Sequence, residues 1–307
     1  MAKKIFKRIL QIIPILIAVT FIVYLIMSLT PGEPARLILG ENASQEAIDA
    51  FNEEYGINRP FLVRYFTYVK DIIVNRSFGK SWRTGRDVMR EVLARFPVTL
   101  YVAVFSVTVA SLIGVPLGVI SAVKQYSPID NILRFISMLV ASFPPFWLGM
   151  ILVLIFALGL HLFPPNGSDS ARYFVLPVLT IALPNAASFL RFTRSTMLET
   201  IRQDYIRTAR AKGLPEKKVL VGHALRNALL PIITLIGTSF GRLLGGVVII
   251  ENVFALQGLG QFALTAINSK DIPQAMASVI FLSTMSCLII LVVDIIYSLV
   301  DPRIKAE

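Results

Sequence analysis

The chain has 307 residues, of which 55% are hydrophobic and 16% charged, with a mean hydropathy of +0.69 and a formal net charge of +11. Soluble domains carry about 25% charged residues, so the composition excludes an ordinary water-soluble globular fold. The single cysteine, Cys287, excludes an intrachain disulfide and a cysteine-based metal cluster.

Runs near 20 apolar residues suffice to cross about 30 Å of hydrocarbon as helices. Six are predicted in this chain, roughly at 9–29, 98–123, 132–160, 174–193, 228–250 and 277–300. The expected fold class is an all-α integral membrane protein with six transmembrane helices. The first span follows the basic stretch "MAKKIFKR". Its apolar part exceeds the core of a secretory signal, about 7–15 residues, so residues 1–29 are expected to remain as an anchor helix.

Residues 30–96 form the one sizeable water-soluble segment. In "SQEAIDAFNEEYG", Ser44 is a helix N-cap candidate, acids follow it, and Gly56 closes the pattern. "RPFLVRYFTYVKDIIV" reads as a second, amphipathic helix. A segment this short and poor in core residues is expected to cap the membrane bundle rather than fold alone. The remainder, 97–303, is the membrane core, followed by a tail at 304–307. Within the spans, Gly114, Pro116, Gly118, Pro144 and Pro145 have two readings, as hinges or as packing and kink sites.

Basic residues set the orientation. With the N-terminus in the cytoplasm, the short inside segments hold seventeen Lys and Arg, and the two short outside loops hold two, Arg172 and Lys270. Both termini are therefore expected to be cytoplasmic and the 30–96 segment extracytoplasmic. The positive charge follows topology rather than marking a nucleic-acid surface, and no nucleic acid is expected as a partner.

Catalytic signatures are sparse. No G-x-x-x-x-G-K-[ST] is present, so the chain has no phosphate loop of that type. The two histidines, His161 and His223, fall on opposite sides of the membrane in this topology, and no metal-ligand cluster is legible. The reading is a transport subunit, not an enzyme, with an ion-coupled secondary transporter as the rival class.

The most distinctive stretch is the basic "YIRTARAKGLPEKKVLVGHALRN", which begins at Tyr205 and lies within a cytoplasmic segment spanning about 194–227. A helix to Lys212, a left-handed turn at Gly213, Pro215 in the first turn of a second helix, and Glu216 at its positive end predict a helical elbow. Residues alone leave this open between a partner-docking element and a solvated basic loop.

"TARAKGLPEKKVLVGHALRNALLP" resembles the cytoplasmic coupling loop of ABC importer permeases, in the form found in the dipeptide/oligopeptide/nickel permease family. Further stretches match that family in order. They are "LTPGEPA", "YGINRP", "SFGKS", "FPPFWLG", "GGVVIIENVFALQGLG", the "DIP" at 271–273 and the closing "DIIYSLVDPR". The resemblance implies a multi-pass permease of the bacterial or archaeal cytoplasmic (inner) membrane, surrounded by membrane lipid. It implies a homologous second permease subunit, two cytoplasmic ATPase subunits that carry the ATP and Mg, and an extracytoplasmic substrate-binding protein. No cofactor is expected on this chain. The implied cargo is a dipeptide or oligopeptide, with nickel or glutathione as alternatives. The coupling-loop match falls on Tyr205, Thr208, Ala209, Arg210, Ala211, Gly213, His223, Arg226 and Asn227. Two departures stand out: Arg207-Thr208-Ala209 replaces the Glu-Ala-Ala of the broader importer pattern, and Gln257-Gly258 replaces Pro-Gly.

Arg242 belongs to no loop. It sits about eight residues before the outer end of the fifth span, roughly 12 Å along a helix, where a charge either snorkels to headgroups or faces a wet interior. In the second case Glu251, Asp294 or a carboxylate on passing substrate is its expected partner, and all three residues are conduit candidates.

Overall fold

A computed structural model describes residues 2–300. The tail 304–307 and the Asp301-Pro302-Arg303 end of the closing motif lie outside the described residues. Regular structure in the described residues is helical, apart from one isolated bridge between Lys80 and Asp87.

The elements are α1 (Ala2–Leu29), α2 (Pro34–Leu39), α3 (Gln45–Glu54), α4 (Phe61–Val74), α5 (Val88–Val123), α6 (Pro128–Ser142) and α7 (Pro145–Leu152). They continue with α8 (Val175–Ile201), α9 (Asp204–Ala211), α10 (Glu216–Lys218), α11 (Arg226–Val253), α12 (Leu259–Asn268) and α13 (Ile272–Val300). Wider π-type turns extend α7 over Val153–Gly159 and join α10 to α11 over Val219–Leu225.

Five stretches are long and apolar enough to cross a membrane: Arg8–Leu29, Val88–Val123, Ala171–Ile201, Glu216–Val253 and Ile272–Ile295. The expected third span differs. It is a pair, Pro128–Ser142 and Pro145–Gly159, bent by 101°. The cause lies in "SFPPF". A residue before proline is driven out of the helical region, and Phe143 and Pro144 both take extended backbone, with ψ of 133° and 136°. Helix resumes at Pro145, whose missing N–H is no loss in a first turn.

The chain divides into two compact units. The first comprises residues 2–99 and 257–287, the second 100–256 and 288 onward; α5 and α13 each begin in the first and run on into the second. In the first unit, α1 packs on α4 through a cluster of rings. Tyr24, Phe61 and Tyr65 have centroids 5.7 to 6.5 Å apart, and the Tyr65 hydroxyl shares a hydrogen bond with Thr20 Oγ1 at 3.0 Å. Met27 and Tyr65 also bury against Ile272 and Met276 of α13. Ser44 caps α3, its hydroxyl accepting from Ala47 N–H, and Gly56 turns the chain out at φ +63°. The 30–96 segment thus packs onto membrane-type helices of its own unit.

Two adjacent residues tie this segment down. Lys270 Nζ donates to the carbonyls of Thr30, Pro31 and Gly32 at 2.6, 2.5 and 2.6 Å. Burial pushes its pKa below the usual lysine range. Asp271, fully buried, accepts from Ser81 Oγ at 2.5 Å and from the N–H groups of Arg83 and Gln274 at 3.3 Å. The second of those amides belongs to the first turn of α13, which Asp271 therefore caps.

In the second unit, α5 and α8 approach so closely that Gly114 and Gly118 have no room for a side chain. A Cβ would stand 2.5 Å from Ala186 O at the first and 2.6 Å from Leu190 O at the second. This is small-residue packing, which drives helix association in lipid where no hydrophobic gradient exists. The structure favours the packing reading of these two glycines.

Candidate functional site

The helical elbow folds as its residues dictate. α9 ends in a Schellman motif: Gly213 N–H donates to Arg210 O at 2.9 Å and Leu214 N–H to Ala209 O at 3.4 Å. Gly213 has φ +76°, and a Cβ there would meet nothing within 4 Å, so backbone conformation alone demands glycine. Pro215 takes the N-cap place, one residue earlier than expected, and helix starts at Glu216. Glu216 does more than suit a helix terminus. Its carboxylate accepts from Arg210 Nη2 at 2.7 Å and Nε at 3.1 Å, a bidentate bridge across the turn that raises the Arg210 pKa. The pair is exposed, so its contribution is geometric more than energetic.

The inner face of the elbow is seated in the second unit's core. Ile206, Ala209, Val219 and Ala224 are buried with Ala122 of α5, Met197 of α8 and Ile232 of α11. Ala209 faces inward because it shares a helix face with Ile206, three residues earlier. Tyr205, Thr208, Arg210, Ala211, Gly213, Arg226 and Asn227 are exposed, and His223 is half-buried. Asn227 Nδ2 donates to His223 O at 2.7 Å. Arg207, standing where the importer pattern has Glu, lies 3.7 Å from Asp204 on the exposed face.

Above the elbow lies an arrangement that sequence reading missed. Asp130, fully buried at the start of α6, accepts four hydrogen bonds: from Arg194 Nε and Nη2 at 2.7 and 2.8 Å, Ser121 Oγ at 2.5 Å and Tyr126 N–H at 2.9 Å. One carboxylate thus joins α5, the turn after it, α6 and α8. Asp130 and Arg194 are 64 residues apart, and the one available signal was an acid in an otherwise basic inside loop. Arg191 adds a bond to Ser137 O at 3.0 Å. A surface depression lined by Arg194, Leu198, Glu199 and Arg202 runs from this anchor towards α9.

Arg242 is exposed on α11 and donates to Ser239 Oγ at 3.1 Å. Glu251 is fully buried near the end of the same helix. The adjoining Gly245 and Gly246 face open space and Gly241 is buried. No G-x-S-x-G nucleophile elbow is expected from the sequence, yet Gly237-Thr238-Ser239-Phe240-Gly241 has that spacing. It lies inside an uninterrupted helix, not on the strand–turn–helix that such a nucleophile requires. Among the described residues no group of three or more His, Cys, Asp or Glu is arranged to hold a metal ion.

Long apolar helices joined by a basic helical elbow have the architecture of one class, a membrane-embedded transport subunit. More specifically, the chain belongs to the permease family of binding-protein-dependent ABC importers. The profile described as "Binding-protein-dependent transport system inner membrane component" matches residues 114–306, and the profile of that family's N-terminal part matches residues 1–103. The dipeptide transport system permease protein DppB of Alkalihalophilus pseudofirmus is 37% identical, covering 97% of this chain and 98% of its own. The oligopeptide permease AppB of Bacillus subtilis is 38% identical over 99% and 100% of the two chains, and the glutathione permease GsiC of Escherichia coli K12 is 36% identical over 99% of each. A solved amino acid ABC transporter, crystallised with histidines, shares the fold with a TM-score of 0.54 at 15% identity, covering 70% of this chain and 94% of that one.

Proposed function

We propose that this chain is the transmembrane permease subunit of an ATP-driven, binding-protein-dependent importer of dipeptides or oligopeptides in a prokaryotic cytoplasmic membrane. The observation that carries the reading is the 37% and 38% identity to a dipeptide and an oligopeptide permease across nearly the full length of each. The chain forms half of a conduit with a homologous second permease. Two ATPase subunits on the cytoplasmic face bind ATP and Mg, and a binding protein delivers cargo on the opposite face. The positive-inside distribution supports cytoplasmic termini, with 30–96 as the extracytoplasmic cap.

In this reading the chain performs no hydrolysis. Its own contribution is a preformed elbow, held from inside by Ile206 and Val219 and across the turn by the Arg210–Glu216 bridge. ATP binding shifts the conduit only if the ATPase contacts differ between its two states. The exposed Tyr205, Thr208, Ala211 and Arg226 supply such a contact. Glutathione is a second reading, supported by the similarity to GsiC proteins.

Uptake of a radiolabelled dipeptide by a strain lacking its own peptide importers, carrying this chain with its partner genes, tests the proposal. Uptake should vanish when the partner ATPase loses its catalytic residues. Uptake that persists in that strain and follows an ion gradient would identify a secondary transporter instead.

A further inference from the structure

The first unit holds a polar cavity of about 240 Å³ that none of the preceding functions uses. It is formed by the loop before α5, the first turns of α5, and α12 with the start of α13. Its charged lining is three arginines, Arg83, Arg86 and Arg95, against one acid, Glu91. Glu91 is committed to Arg95 at 2.5 Å and reaches Arg86 at 3.5 Å. Arg95 also lies over the Phe262 ring, 4.3 Å from its centroid. The Arg83 guanidinium makes no ion pair among the described residues. The cavity lining therefore carries an excess of positive charge.

The loop that presents the two outer arginines is held unusually firmly for an exposed turn. Ser81 N–H donates to Arg86 O and Gly85 N–H to Ser81 O, both at 2.9 Å, closing residues 81–86 into a tight turn. Gly85 occupies φ +67°, and the Lys80–Asp87 bridge fastens the base. Ser81 Oγ and Arg83 N–H are both anchored to the buried Asp271. A loop fixed at these points loses little further conformational entropy when its arginines engage a ligand. The remaining lining is neutral and hydrogen-bonding, including the amides of Gln257 and Gln274 and the hydroxyl of Thr265, with Phe262 as an apolar wall. Guanidinium forks match carboxylates in geometry, and amides with hydroxyls match peptide groups.

We infer that this cavity is a carboxylate-binding subsite that takes the C-terminal end of a short peptide. The inference rests on the proposed peptide-import function and on the outward placement of the 30–96 segment. The volume suits a chain end rather than a whole oligopeptide.

The test uses the complete importer in proteoliposomes, with saturating binding protein. Uptake of Ala-Ala is compared with uptake of its C-terminal amide. Relative to wild type, Arg83→Gln/Arg86→Gln should narrow the acid-to-amide ratio of kcat/KM about three- to tenfold, the worth of a partly exposed charge-assisted contact. Arg83→Lys/Arg86→Lys, which keeps the charge, should restore most of the ratio. An unchanged ratio in the glutamine variant, with dipeptide still imported, overturns the subsite alone. If that variant instead raises the binding-protein concentration needed for half-maximal ATPase stimulation without peptide, the carboxylate belongs to the binding protein and the peptide assignment is wrong. A wild-type complex that hydrolyses ATP yet imports neither compound overturns the peptide-import reading beneath it.

Discussion

Asp130→Asn removes a single charge from the buried junction of α5, α6 and α8. The native carboxylate accepts four hydrogen bonds, between 2.5 and 2.9 Å, on two oxygens. The substituted amide keeps one oxygen and turns an NH2 group towards donors, so about two of the four bonds are lost and Arg194 is left without its counter-charge. Breaking a buried pair in this way costs about 3–5 kcal/mol. The Arg194 side chain retains 17% exposure. Water can therefore relieve part of the loss, which puts the expected effect near the lower end, about 3 kcal/mol or a hundredfold in the folded-to-unfolded ratio. Denaturant titration of the purified permease pair in detergent, followed by tryptophan fluorescence, reads the change. The companion Arg194→Met should cost a similar amount, and the double variant clearly less than the sum, because replacing both partners leaves no stranded charge. An Asp130→Asn chain within about 1 kcal/mol of wild type, or a double variant that adds fully, refutes the reasoning.

Gly213→Val should insert normally yet co-purify with less ATPase and lose uptake, since a β-branched residue strongly disfavours φ near +76°; wild-type co-purification with normal uptake would count against the elbow. A cysteine at position 52, Asn52→Cys, should react with an impermeant thiol reagent added to intact spheroplasts, and labelling only after membrane opening would invert the topology. Arg242→Leu should lower transport more than Arg242→Lys if the exposed guanidinium faces the conduit, whereas equal wild-type transport by both makes it a headgroup anchor.

Signals in the sequence are legible where the physics is local. Ser44 capping α3, Gly56 ending it and Gly213 breaking the elbow each depend on a few neighbouring residues, and each is found in place. Apolar length located the membrane stretches, although α5 starts at Val88, ten residues before its apolar run, because amphipathic residues continue the same helix. α12 escaped notice: "LGQFALTAIN" is short, and its first amide is capped by Thr99 Oγ1 at 2.8 Å, 160 residues distant. The Asp130–Arg194 anchor and the Lys270 clamp are likewise tertiary, so no periodicity announces them. The inward face of Ala209 is also set by tertiary packing. Spacing along a helix says which residues share a face, not which face the core will claim.

The glycine contact between α5 and α8 also has a mechanical meaning. With carbonyl oxygens of α8 seated where side chains of α5 would otherwise stand, neither helix can slide a turn past the other without a steric collision. At 27 residues and about 40 Å from end to end, α8 is a long shaft keyed to its neighbour on the C-terminal side of its internal Pro184. Only Arg202 and Gln203 separate its lower end from α9. A tilt imposed at the elbow would therefore reach both helices together, as rotation of the pair rather than as independent sliding.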